Sequence, residues 1–206
     1  MVIHYYTNDI PSLLLKNEHT SVALDTEAMG LNMIRDRMCL VQLCFGTDEV
    51  HLVHFRSKND YKEAVNLIKL LSNDKLLKIF HFARFDVAKL QQSFNISMKN
   101  IYCTKIASKL ARTFTDYHGL KSLCSELLGV KLSKTQQTSN WGEEILTEEQ
   151  KEYAAYDVLY LHKLVDKLNK ILIREEKMEV AQKCFDAIPI ISALDIMGFN
   201  EQIFCF

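Results

Sequence analysis

Val22-Ala23-Leu24-Asp25-Thr26-Glu27 is an apolar, strand-forming run that turns acidic halfway along, and its neighbours decide what fold it belongs to. Two further runs, Cys39 to Phe45 and Glu49 to Phe55, are rich in β-branched and aromatic residues, with Gly30 and the turn Gly46-Thr47-Asp48 as punctuation. The spacing predicts three consecutive antiparallel strands. Tyr61 to Leu71 then carries apolar residues at helical intervals, and Leu76 to Phe82 returns to strand character. Ala83, Val87, Leu90 and Phe94 share one face of a following helix, and Ile101-Tyr102-Cys103 reads as a short fifth strand. Leu120 to Leu128 stops at Gly129, and Thr147-Glu148-Glu149-Gln150 has the capping-box pattern that opens one long helix toward Glu176. A meander, then alternating helices and strands, then helices alone specify an α/β architecture. The expectation is a mixed five-stranded sheet flanked by helices, in a single domain over residues 1–206 whose helical C-terminal part begins at about 147.

The acids fall at informative places. In Asp25-Thr26-Glu27 the two carboxylates are two residues apart on a strand, so both project from one side of the sheet. Such a pair repels, and burying it costs free energy unless a cation offsets the charge; adjacent hard oxygen donors suit Mg²⁺ or Mn²⁺. A strand end that simply reaches solvent explains the pair equally well. Asp86 lies one helical turn beyond the strand Leu76 to Phe82, where sites form in open α/β sheets, although an acid in a first turn also complements the helix dipole. Tyr153 and Asp157 are four apart on one helical face. Asp157 borders the apolar stripe Ala154, Val158, Leu161, Val165, Leu168 and Leu172.

Asp25, Glu27, Asp86 and Asp157, with Tyr153 four residues before the last, resemble the three exonuclease motifs of the DEDD superfamily in its tyrosine-containing subgroup. The likeness runs on through Arg35 to Leu43, His81 to Asp86, Leu132 to Trp141 and Leu146 to Leu161, which look like ribonuclease D, and the element order is similar to a ribonuclease H-like fold. The resemblance implies a metal-dependent 3′→5′ exoribonuclease that releases nucleoside 5′-monophosphates from single-stranded RNA 3′ ends. Processing of tRNA and other stable RNA, or RNA decay, would be its task. It further implies two divalent metal ions, Mg²⁺ or Mn²⁺, one on Asp25, Glu27 and Asp157 and a second shared by Asp25 and Asp86. Tyr153 would orient the attacking water, and no small-molecule cofactor is needed. Thr26, Met29, His81, Arg84 and Lys134 are the candidate substrate contacts. Two departures stand out: Ala28 follows the Asp-x-Glu motif where many relatives carry an aromatic residue, and the chain ends at Phe206 without the helical nucleic-acid-binding domains of longer ribonuclease D enzymes. DNA 3′ ends are the alternative substrate. An inactive nucleic-acid-binding module is the alternative of another class, and it would be expected to lack at least one of the five motif residues.

Composition narrows the remaining choices. Lys and Arg total 25 against 26 Asp and Glu, so the molecule is not the basic body of a protein that coats nucleic acid, and any polyanion contact must be local. Lys105, Lys109 and Arg112 at i, i+4 and i+7 form one candidate face. Six cysteines without a Cys-x-x-Cys pair read as reduced, partly buried thiols. The amino terminus lacks a secretory pattern and no long apolar run spans a membrane, so a soluble, cytoplasmic protein with no membrane partner is expected. Trp141 either stacks a base or fills the core. The apolar stretch from Ala187 to Phe206 is expected to pack back on the fold rather than on a second subunit, and the number of subunits is left open.

Overall fold

The computed structural model describes residues 1–16, 18–132, 139–199 and 203. Its centre is a sheet of strands β1 (Val2–Thr7), β2 (Ser21–Ala28), β3 (Met38–Cys44), β4 (Glu49–His54), β5 (Leu77–Phe80) and β6 (Ile101–Cys103). Their order is β1-β4-β3-β2-β5-β6. The meander β2-β3-β4 is antiparallel as expected, and β5 and β6 add in parallel beside β2. Six strands stand where five were expected. The extra one, β1, pairs in parallel with β4 at the sheet edge, and its partly exposed mixture of polar and aromatic side chains lacks the apolar run that marks a buried strand.

Helices cover both faces, which is why every residue of central β3 is buried. The short α1 (Leu13–Lys16) precedes β2, and α2 (Val65–Leu71) precedes β5. Helix α3 (Ala83–Phe94) packs against β2, β3, β5 and β6, and α4 (Thr104–Ala111) follows β6. Helix α5 (Leu120–Leu123) continues into a π-turn at Cys124–Leu128 that ends on Gly129 in a left-handed conformation, φ 71°.

The long helix expected from Thr147 is two helices. Helix α6 (Glu148–Leu159) starts with the foreseen capping box, in which Thr147 and Gln150 bond reciprocally, and it lies over β2, β3 and β4. At Tyr160, φ −102° and ψ −2°, the chain turns into α7 (Leu161–Arg174), which packs on α4. The apolar stripe is buried along both halves, so its period is continuous across a break that neither Gly nor Pro announces. Helices α8 (Met178–Asp186) and α9 (Ile188–Ile196) close the described chain, and α9 packs back on α3. Residues 200–202 and 204–206 of the apolar tail lie outside the described residues.

The basic face Lys105-Lys109-Arg112 does not form. Arg112 caps α4 outside helical geometry, is 2% exposed, pairs with Glu126 and donates to the Tyr117 carbonyl at 3.0 Å. Among the described residues no helix is long and apolar enough to cross a membrane.

Candidate active site

Strand β2 outruns β5. Its pairing with β5 stops at Ala23, while its pairing with β3 continues to Ala28, so the acidic end of β2 has no strand beside it on the β5 side. Asp86, in the first turn of α3, takes that place: its Oδ1 accepts from the Thr26 backbone N–H at 3.0 Å and from the Thr26 hydroxyl at 2.7 Å. A side chain thus satisfies a ladder donor that would otherwise be buried unpaired. Asp25 and Glu27 project from the other side of the strand. There α6 brings Asp157 to them, and carboxylate oxygens of the three lie within 4.8 Å of one another. Gln42, directly across on β3, reaches Asp25 Oδ2 at 3.4 Å. Asp25, Glu27 and Asp157 line a cavity of about 390 Å³ together with His81, Phe82, Lys105, Lys121 and Tyr153, while Asp86 is buried and is not part of that lining.

The electrostatics show what the cavity lacks. Burial, then repulsion from Asp86, Asp157 and Glu27, holds Asp25 well above the ordinary carboxylate range. Burial and then Asp157 do the same to Glu27. Asp86 and Asp157 are raised by burial as well, with the Thr26 hydrogen bonds offsetting part of the effect on Asp86, and Lys121 and the Tyr153 hydroxyl offsetting part on Asp157. Four acids this close want positive charge. Three hard oxygen donors at this separation fit a divalent ion, and the donor set contains neither thiolate nor imidazole. Burial first, and then the acids, push the Tyr153 phenol upward, so it stays protonated at neutral pH and acts as a donor. Burial pulls His81 down to about 3, so its ring is neutral. Thr104 donates its hydroxyl proton to the Phe80 carbonyl at 3.1 Å and therefore accepts from His81 Nδ1 at 2.9 Å. That tautomer leaves Nε2 as an acceptor.

A sequence model of the family described as 3′-5′ exonuclease matches residues 5–173. The chain belongs to that family. Ribonuclease D of Haemophilus influenzae is 31% identical over 160 residues, covering 78% of this chain and 39% of the relative, so the chain spans about two fifths of the length of the ribonuclease D it matches. Brucella melitensis NrnC, in a structure bound to pGG, superposes with a TM-score of 0.92 at 46% identity, covering 98% of this chain and 96% of that one. A structure of the same protein with bound Mg²⁺ gives a TM-score of 0.90 at 45% identity, over 96% and 95% of the two chains. The chain is thus similar to both ribonuclease D and NrnC, with the ribonuclease H-like fold that its sequence resembles.

The structure puts the other candidate residues to varied uses. Thr26 is buried and serves Asp86; Met29 is exposed beside Gly142 rather than in the acidic cavity. Arg84 forms a bidentate pair with Asp195 of α9 at 2.6 and 2.7 Å, and it lines a separate apolar groove with Leu31, Ile34 and Phe199. Lys134 lies outside the described residues. Trp141 is 2% exposed and fills the core, its ring centroid 6.2 Å from that of Tyr153. Gln42 and Phe82 fall within the stretches that carry the family resemblance but were given no role of their own. Lys121 was not singled out, because nothing local says that α5 lines the same cavity as the end of β2. Phe82 sits at φ 68°, a left-handed conformation rare for an aromatic residue, which leaves its ring half exposed with Lys105 Nζ 4.0 Å from the centroid.

Proposed function

We propose that the chain is a metal-dependent 3′→5′ exoribonuclease that releases nucleoside 5′-monophosphates from single-stranded RNA. The observation that carries the proposal is the Asp25, Glu27 and Asp157 cluster, oxygens within 4.8 Å, at the end of a strand in a 3′-5′ exonuclease. Asp25, Glu27 and Asp157 would hold one ion, and Asp86, with one oxygen engaged by Thr26, would offer its other oxygen with Asp25 to a second. Bound Mg²⁺ or Mn²⁺ supplies Lewis acidity, lowering the pKa of water and balancing charge on the leaving 3′-oxygen. The Tyr153 hydroxyl, protonated and beside Asp157, orients the attacking water without deprotonating it. The neutral His81 accepts from a ribose hydroxyl through Nε2, and Phe82 offers a half-exposed ring to a base.

Processing of tRNA and other stable RNA 3′ ends, or RNA decay, in the cytoplasm fits the ribonuclease D likeness and the free thiols at Cys39, Cys44, Cys103, Cys124 and Cys184. The NrnC complex with pGG supports short 5′-phosphorylated RNA among the substrates. The test is digestion of matched 5′-labelled RNA and DNA, from dinucleotides to long strands, with Mg²⁺, with Mn²⁺ and with chelator. A metal-dependent ladder from the 3′ end, faster on RNA, is the expected result. Faster DNA shortening moves the enzyme to DNA trimming, and absence of cleavage, or cleavage that resists chelator, overturns the proposal.

A further inference from the structure

Lys121 is the second residue of α5, just after the capping Gly119, and both line the acidic cavity. Its ammonium nitrogen is shielded from solvent, and it sits beside Asp157, whose carboxyl it draws back toward the ordinary range. A shielded ammonium is costly unless its charge is matched, and here Asp157 matches it. Of the other cations near the site, Arg84 is paired with Asp195, and Lys105 lines the same cavity but lies over the Phe82 ring. Lys89 donates to the carbonyls of Asn32 and Asp36.

The match between Lys121 and Asp157 cannot survive metal loading unchanged. Two divalent ions, as proposed, balance the four carboxylates of Asp25, Glu27, Asp86 and Asp157, so the loaded site leaves the shielded Lys121 charge in surplus over its acids. An anion between Lys121 and the ions restores the balance, and the reaction brings one: the phosphodiester at the cut. We propose that Lys121 is a catalytic residue that binds the non-bridging oxygens of that phosphodiester, and afterwards the phosphate of the released nucleotide. The inference rests on the exonuclease reading and adds to it a cation from α5, facing the acids of β2 and α6. A fixed ammonium at that point is worth more to the crowded, charge-rich transition state than to free substrate.

The test uses the full chain and the variants Lys121→Met and Lys121→Arg. Binding of adenosine 5′-monophosphate in Mg²⁺ is measured by calorimetry, kcat/KM on RNA by steady-state kinetics, and Mn²⁺ affinity without nucleotide by direct titration. Lys121→Met is expected to weaken nucleotide binding at least about tenfold and to lower kcat/KM about 10²-fold, with Lys121→Arg recovering much of both. Mn²⁺ binding stays as tight or tightens, because a positive charge beside the ion has gone. Unchanged nucleotide affinity and kcat/KM in Lys121→Met overturn the proposal. So does a loss of activity that tracks a loss of Mn²⁺ affinity, which would make Lys121 part of the metal site instead. Should the wild type bind the nucleotide through Lys121 yet leave RNA intact, the phosphate contact stands and the exonuclease reading falls. If Lys121→Met loses cooperative melting, Lys121→Gln is judged by the same criteria.

Discussion

Asp25, Glu27, Asp86 and Asp157 each hold a carboxyl group above its ordinary range, with burial the largest cause at every one. An acid whose folded pKa is raised binds protons in the native state that the unfolded chain releases, so stability rises as pH falls through the folded pKa. Burial sets Asp157 to about 7, which places the window around neutrality. In chelator the protein should therefore melt higher at about pH 6 than at about pH 8, and Mg²⁺ should flatten that slope by taking the place of the protons. Melting curves across the window decide it; a metal-free protein that gains stability toward alkaline pH contradicts the account. The same residues were the legible part of the site. Asp25 and Glu27 obey the strand period and Tyr153 and Asp157 the helix period, so their shared faces follow from spacing alone.

Elements explain how those faces meet. Because β2 extends beyond β5, the Thr26 N–H lacks a strand partner, and α3 starts where Asp86 can supply one. The junction from β5 into α3 carries the left-handed Phe82, a conformation that costs on the order of 1–3 kcal/mol in a non-glycine residue. Phe82→Gly should hold or raise stability, since glycine takes that conformation freely, while lowering kcat/KM because the cavity loses one wall. Denaturant titration and kinetics on the same preparation check both halves, and a stability loss above about 1 kcal/mol refutes the strain argument. At the start of α6, Gln150 also donates to Ser139 Oγ and the Asn140 carbonyl at 3.1 and 3.2 Å. Thr147→Ala, which breaks the capping box, should cost about 1 kcal/mol and show in the same titration. The capping box was visible in sequence because it is a local four-residue pattern. The break at Tyr160 was not, since the apolar stripe keeps its period through it.

At the scale of the whole molecule, the closely placed acids are a store of repulsion that an ion relieves. Mg²⁺ should raise the melting temperature in proportion to the logarithm of its concentration once its Kd is passed, by about 2.7 kcal/mol of stability at a hundredfold excess over Kd. Asp25→Asn should melt higher than wild type in chelator and gain little from Mg²⁺, and a scanning-calorimetry series over Mg²⁺ concentration compares the two directly. An equal Mg²⁺ gain in both proteins would separate Asp25 from ion binding. The amino-acid sequence by itself determined the meander, the helix–strand alternation, the family resemblance and the period on which each motif acid lies, because these depend on contacts and spacings within a few residues. Only the tertiary structure decided that β1 adds an edge strand, that Arg112 and Arg84 pair with Glu126 and Asp195, and that Lys121 lines the same cavity as the acids. Each of those depends on which distant segment lies opposite, and no period along the chain encodes that.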